Sequence, residues 1–105
     1  MPQIIVKGVR EDKLQQLAPQ IIETVSRLVE CPEDWVTLEL CPSLFFVKDG
    51  PTEQYPILQI WWYSRPQEVQ DALAQALSKP FLDKGYPLVQ ISFHVFEKKD
   101  YYEFE

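Results

Sequence analysis

Along this chain the spacing of apolar residues changes in the same order twice. In PQIIVKGV, residues 2–9, β-branched residues dominate up to Gly8, which reads as a strand. From Glu11 onward Leu14, Leu17, Ala18, Ile21, Val25, Leu28 and Val29 recur at three- and four-residue steps, one stripe of an amphipathic helix. WVTLELC then alternates, with Val36, Leu38 and Leu40 on one face and Thr37, Glu39 and Cys41 on the other. A connection from Pro42 to Tyr55 holds the short apolar run LFFV and a turn at DGP. After it the order repeats. YPILQIWWYS is a strand from Pro56, and Val69, Ala72, Leu73, Ala76, Leu77 and Phe81 make a second helical stripe. In YPLVQISFHVF, Val89, Ile91, Phe93 and Val95 alternate with Gln90, Ser92 and His94.

The punctuation agrees with this plan. Glu11 and Asp12 suit the positive end of the first helix, Pro19 predicts a kink within it, and Cys31-Pro32 stops it. Ser64 is placed to cap the second helix toward Gln67, with Pro66 in its first turn; Pro80 bends it and Gly85 ends it. Two βαβ repeats predict an α+β fold, a four-stranded sheet with two helices on one face, because right-handed crossovers put both helices on the same side. The expected organisation is a single domain over 1–105, with repeat one about 2–41, repeat two about 56–96 and a tail at 97–105. The other sheet face then shows Thr37, Glu39, Gln59, Trp61, Tyr63, Gln90, Ser92 and His94. Two large aromatics among polar groups fit a face covered by other subunits, or one lining a ligand site, better than the wet face of a monomer.

Charge and composition exclude several classes. With 46% apolar residues in 105 the chain can bury a core, and a net charge of −6 argues against nucleic acid as partner. No run of 18 apolar residues is present, so no membrane span is expected. No basic region precedes an apolar stretch at the start, so the expected location is the cytoplasm. Cys31 and Cys41 bracket a strand, and extended chain at roughly 3.3 Å per residue holds them beyond bridging reach. Neither has a His or Cys at metal spacing, and nothing in the pattern calls for a metal or cofactor.

The opening MPQIIVKGVRE, the helix ending at CPEDW, and WVTLELCPSLFFVKDG in alternation and length together resemble the tautomerase superfamily, which includes 4-oxalocrotonate tautomerase and macrophage migration inhibitory factor. The ending KKDYYEFE and the strand IWWYSR look more like a bacterial side branch than like the founding enzymes. The resemblance covers nearly the whole chain. It implies a homotrimer whose three sheets form a barrel with the helices outside, and an active site at each subunit boundary where the N-terminal proline is the base.

Pro2 suits that role chemically. Once Met1 is removed it is a secondary amine, and a free α-amino group titrates near 7.7–8.0, lower when desolvated or near cations. A neutral amine near pH 7 removes a proton α to a carbonyl and returns it elsewhere, interconverting keto and enol forms. A strand-start proline without chemistry is the plain alternative. The resemblance assigns Arg10 to substrate binding, and Arg65, beside Tyr63 at the end of the third repeat strand, falls near the family pocket. A guanidinium meets a carboxylate bidentately, and Tyr63 is a candidate donor to an enolate oxygen. The family's second arginine aligns with Thr37, its lysine with Cys31, and its last-strand tyrosine and asparagine with Gln90 and Ser92. Glu39, on the barrel-facing side, is expected to pair with Arg65, Arg10 or Lys7 if buried, and to raise the basicity of Pro2 if close. His94 is expected to line the barrel, and the aromatic-acidic tail DYYEFE to pack over a neighbouring subunit across the pocket mouth.

The expected function is keto–enol isomerisation of a small carbonyl acid. The alternatives are a non-catalytic homotrimer that keeps the fold as a binding or scaffolding module, and an unrelated ferredoxin-like regulatory dimer.

Overall fold

A computed structural model describes residues 2–105. The fate of Met1, on which the Pro2 amine depends, lies outside the described residues. The element order is β1 (Gln3–Lys7), α1 (Glu11–Val29), β2 (Thr37–Cys41), β3 (Phe45–Val47), β4 (Gly50–Thr52), β5 (Ile57–Tyr63), α2 (Gln67–Asp83) and β6 (Gln90–Phe96), with single 3-10 turns at Glu33–Trp35 and Lys98–Asp100. The four long strands form one sheet in the order β2-β1-β5-β6. Within each repeat the pairing is parallel, Ile4 opposite Leu38 and Ile60 opposite Phe93. The repeats join through antiparallel β1 and β5, with Ile4 opposite Ile60. The α+β plan of two βαβ repeats, with both helices on one face, is the observed fold.

The two repeats match in detail at their heads. The Thr37 N–H donates to the Pro2 carbonyl at 3.0 Å, and the Gln90 N–H donates to the Pro56 carbonyl at 3.0 Å. Both prolines are fully buried. A residue without an N–H loses nothing at a strand start, which is why the chain can place one at the head of each repeat.

The core lies between sheet and helices. Ile4, Val6, Leu58, Ile60 and Trp62 from the sheet meet Leu14, Leu17, Ile21 and Val25 of α1 and Leu73, Leu77 and Phe81 of α2. That burial outweighs local helix defects. Helix α1 runs unbroken through Pro19, because residues on both sides of the proline are anchored in the core. Helix α2 likewise continues through Pro80, itself buried. Ser64 does not cap α2. Pro66 occupies the cap position in an extended conformation, and its carbonyl takes the N–H groups of Val69 and Gln70. Gly85, at φ +98°, ends the helix as expected, its N–H on the Leu82 carbonyl.

Helix α1 ends differently. Glu30 takes the left-handed conformation at φ 59°, and the Cys31 N–H returns to the Ser26 carbonyl. A side chain in that region costs about 1 kcal/mol that glycine avoids. Glu30→Gly is therefore expected to stabilise the chain by about 0.5–1 kcal/mol in urea unfolding. An unchanged or lowered midpoint would show that the strain is relieved elsewhere.

The apolar run LFFV and the turn after it form a small hairpin, with Phe45 opposite Thr52 and Val47 opposite Gly50. It projects from the body, leaving Leu44, Phe46 and Val47 largely exposed. Its base is held by an edge-to-face contact of Phe45 with Tyr55 at 5.3 Å. Both cysteines are free thiols. Among the described residues no helix is long and apolar enough to cross a membrane.

Candidate functional site

Alternation sends Gln3, Ile5 and Lys7 of β1 to the helix-free face, together with Thr37, Glu39, Gln59, Trp61, Tyr63, Gln90, Ser92, His94 and Phe96. Aromatic rings collect on its β5–β6 side. Trp61 stacks on His94 at 4.4 Å, Phe96 lies 5.7 Å from Trp61, and His94 Nε2 is 2.9 Å from Ser92 Oγ. None of the long elements covers this face.

A cleft of about 570 Å³ opens at the head of β1. Gln3 and Thr37, the residues flanking the Pro2 carbonyl, form its floor, and Tyr63 reaches it from the end of β5. Pro2 is buried beside this cleft rather than exposed in it. Arg65 is anchored at the same end. Its Nη1 donates to the carbonyl of Tyr63 at 2.9 Å, and its guanidinium lies 5.9 Å from the Trp62 ring. The Trp62 indole N–H is buried without a hydrogen-bond partner among the described residues, and the guanidinium meets the ring through its π face.

The tail packs against its own chain. Tyr101 meets Phe96 at 4.9 Å and Tyr63 at 5.8 Å, and residues beyond it line the same cleft. The expectation of packing across a pocket mouth fits this placement, but the pocket is the chain's own.

Arg10 lies elsewhere. It follows the far end of β1, whose last residue, Lys7, lies about 13 Å from Gln3 at about 3.3 Å per residue. There it lines a second cleft, of about 640 Å³, with Lys13, Lys84 and Tyr86. Its guanidinium forks onto Asp12, with Nε on Oδ1 at 3.1 Å and Nη2 on Oδ2 at 2.6 Å. Those hydrogen bonds hold the Asp12 carboxyl below its ordinary range, so the pair's contribution is present above the usual aspartate pKa and lost only as pH falls through the lowered one. Both partners are exposed, which keeps that contribution small. Burial pushes the Tyr86 hydroxyl up, and Arg10 partly offsets it.

Glu39 is exposed and belongs to none of the ion pairs found among the described residues, Arg10–Asp12, Lys79–Asp83 and Lys99–Glu97. Within one chain, then, Pro2, Tyr63 and Arg65 share one end of the sheet, Arg10 occupies the other, and Glu39 sits between on the open face.

The whole chain, residues 1–105, matches the family described as a domain of unknown function, DUF1904. The chain belongs to that family. The DUF1904 chain is similar to the crystal structure of a DUF1904 domain from Sebaldella termitidis, with 26% identity, a TM-score of 0.90, and 98% of this chain and 95% of that one covered. It is also similar to a macrophage migration inhibitory factor-like protein from Entamoeba histolytica, at 12% identity and a TM-score of 0.74, covering 97% and 94%. A native fused 4-OT matches at 17% identity and a TM-score of 0.77, covering 96% and 91%. No curated protein matches. The DUF1904 chain therefore has the tautomerase and migration-inhibitory-factor fold, at identities that speak for the fold alone.

Proposed function

We propose that this DUF1904 chain is a cytoplasmic homotrimer that interconverts the keto and enol forms of a small carbonyl acid, with Pro2 as base after removal of Met1. The observation that carries the reading is the position of Pro2: buried at the head of β1, beside an open cleft, in the fold shared with the fused 4-OT. In this reading the Pro2 amine takes the proton α to the carbonyl, and the electron pair of that C–H bond passes to oxygen as an enolate. Returning the proton to oxygen completes the enol and frees the amine. Burial favours the neutral amine that this step needs. Arg65, held by the Tyr63 carbonyl, is the carboxylate's partner, and the Tyr63 hydroxyl is the donor to the enolate oxygen. Arg10 joins only if a neighbouring copy brings its end of the sheet to this cleft. Glu39 faces the barrel interior. The uncovered face with Trp61, His94 and Phe96 supports the trimer, because such a ring cluster is suited to a covered surface. Two free thiols fit a reducing compartment.

Intact mass of protein from its native host gives the first test; full retention of Met1 excludes Pro2 catalysis. With Met1 removed, Pro2→Ala is expected to lower kcat/KM for phenylpyruvate ketonisation by at least about a hundredfold. Equal rates would end the base assignment. A solution mass other than three chains would end the barrel.

A second reading is a non-catalytic trimer that keeps the fold as a binding or scaffolding module. It is favoured by the locked Arg10–Asp12 fork and by the absence of Pro2 from the cleft wall. Under it the unmodified chain and Pro2→Ala behave alike and the trimer persists.

A further inference from the structure

The cleft at the head of β1 carries a charge pattern at odds with a doubly anionic substrate. Its rings are Trp35, Tyr63 and Tyr101, and its charged groups are Asp34, Glu103 and Glu105, with no Lys or Arg among the lining residues. The tail supplies two of the three carboxylates. Tyr101 is extended and pinned on Tyr63 and Phe96. Beyond it the side chains divide: Glu103 and Glu105 line the cleft, whereas Tyr102 and Phe104 are 75% and 89% exposed and stack on each other. This is the alternation of an extended segment, with its acidic face toward the cleft. One of these rings already faces a cation within the chain, the Lys98 ammonium lying 5.8 Å from the Tyr63 ring centroid.

We infer that Glu103 and Glu105 select the ligand of this cleft: a monocarboxylate whose far end is neutral or an ammonium group, and not a dicarboxylate. The inference rests on the reading of the cleft beside Pro2 as the substrate site. The proposed function assigns one carboxylate to Arg65, which is tied to the Tyr63 carbonyl at the end of β5 and stands outside the lining of the cleft itself. The remainder of the molecule lies among the rings and faces three negative charges. A second carboxylate there is repelled, an ammonium is attracted, and a ring or alkyl end is indifferent to the sign.

Three probes that do not enolise isolate this property: phenylacetate, 4-carboxyphenylacetate and 4-(aminomethyl)phenylacetate. They share one ring and one carboxymethyl group and differ only in the charge at the far end. Each is titrated into the full chain at low salt, and binding is read from NMR shifts of the Trp35 indole and the Tyr101 ring. The aminomethyl probe is expected to bind at least about tenfold more tightly than the carboxy probe, the order set by reversing one charge near exposed carboxylates. Raising the salt narrows the ratio. In the Glu103→Gln/Glu105→Gln double variant the ratio is expected to fall to within about threefold, with phenylacetate little changed. The variant alters exposed tail residues only, and an unchanged Tyr63–Tyr101 contact in its spectrum confirms the tail's place. A carboxy probe that binds as tightly as the others overturns the inference, as does a ratio unaffected by the double variant or the lack of any saturable shift at Trp35. The outcomes separate from those of the base assignment. If the ranking holds while Pro2→Ala turns over normally, only the base fails; if turnover depends on Pro2 but the ranking is absent, only the selectivity fails.

Discussion

Gly8→Ala is expected to be the most damaging single-methyl change in the chain. Gly8 ends β1 at φ +78°, a conformation that side chains enter at a cost of about 1 kcal/mol or more. Steric overlap adds to that cost. A Cβ at Gly8 would overlap the Tyr55 carbonyl oxygen, lie 2.8 Å from the Tyr55 carbonyl carbon and 3.1 Å from the Phe45 ring. The overlapping atoms are backbone, so relief requires the strand end, the base of the β3–β4 hairpin and the entry to β5 to part. A loss of at least about 4 kcal/mol is expected, a large share of the roughly 5–15 kcal/mol by which domains are stable. Urea denaturation followed by circular dichroism measures it directly. A loss under about 1 kcal/mol would mean that the segment before Pro56 yields more easily than its packing implies.

Phe81→Ala is the second large effect, through the opposite mechanism. Phe81 is 0% exposed, lies in the last turns of α2, and packs with Tyr86 at 6.4 Å. Truncation leaves a cavity where α2, already short of a hydrogen bond at Pro80, is held down mainly by its buried face. The cost is expected at about 3–5 kcal/mol. Phe81→Leu, which keeps most of the volume, is expected to recover more than half of that loss. If both variants unfold at the same denaturant concentration, cavity volume does not govern the site.

Most of the sheet could be read from the sequence because its strands alternate. Leu58, Ile60 and Trp62 are separated by Gln59, Trp61 and Tyr63, so the assignment of faces in β5 follows from period two alone. In β1 the same reasoning stops, since Ile4, Ile5 and Val6 are all apolar. Only pairing to β2 and β5 decides that Ile5 faces the open side. The hairpin strands are three residues each, too short for alternation to register. Pro19 and Pro80 show the limit of local rules, because helix continuity there is settled by the core on either side. The candidate site was legible in part. Pro2, Tyr63 and Arg65 gather because a strand start and an antiparallel strand end must adjoin. The remoteness of Arg10 follows from the same topology. The approach of Glu103 and Glu105 to that end depends on the path of the tail after β6, and no periodicity encodes it.

The matching hydrogen bonds at Pro2 and Pro56 have a further meaning. The duplicated plan builds the same proline-headed strand twice, but chain connectivity makes the copies chemically unequal. At Pro56 the ring nitrogen is committed to the peptide bond with Tyr55, and no processing event can turn it into an amine. At Pro2, under the proposed removal of Met1, it becomes a free amine. The nearby charges differ as well, with Arg10, Lys13, Lys84 and Glu53 lining the cleft near the start of the second repeat and carboxylates lining the one at the start of the first. Repeat two is thus an internal control, the same backbone setting for a proline with amine chemistry removed by covalent structure alone.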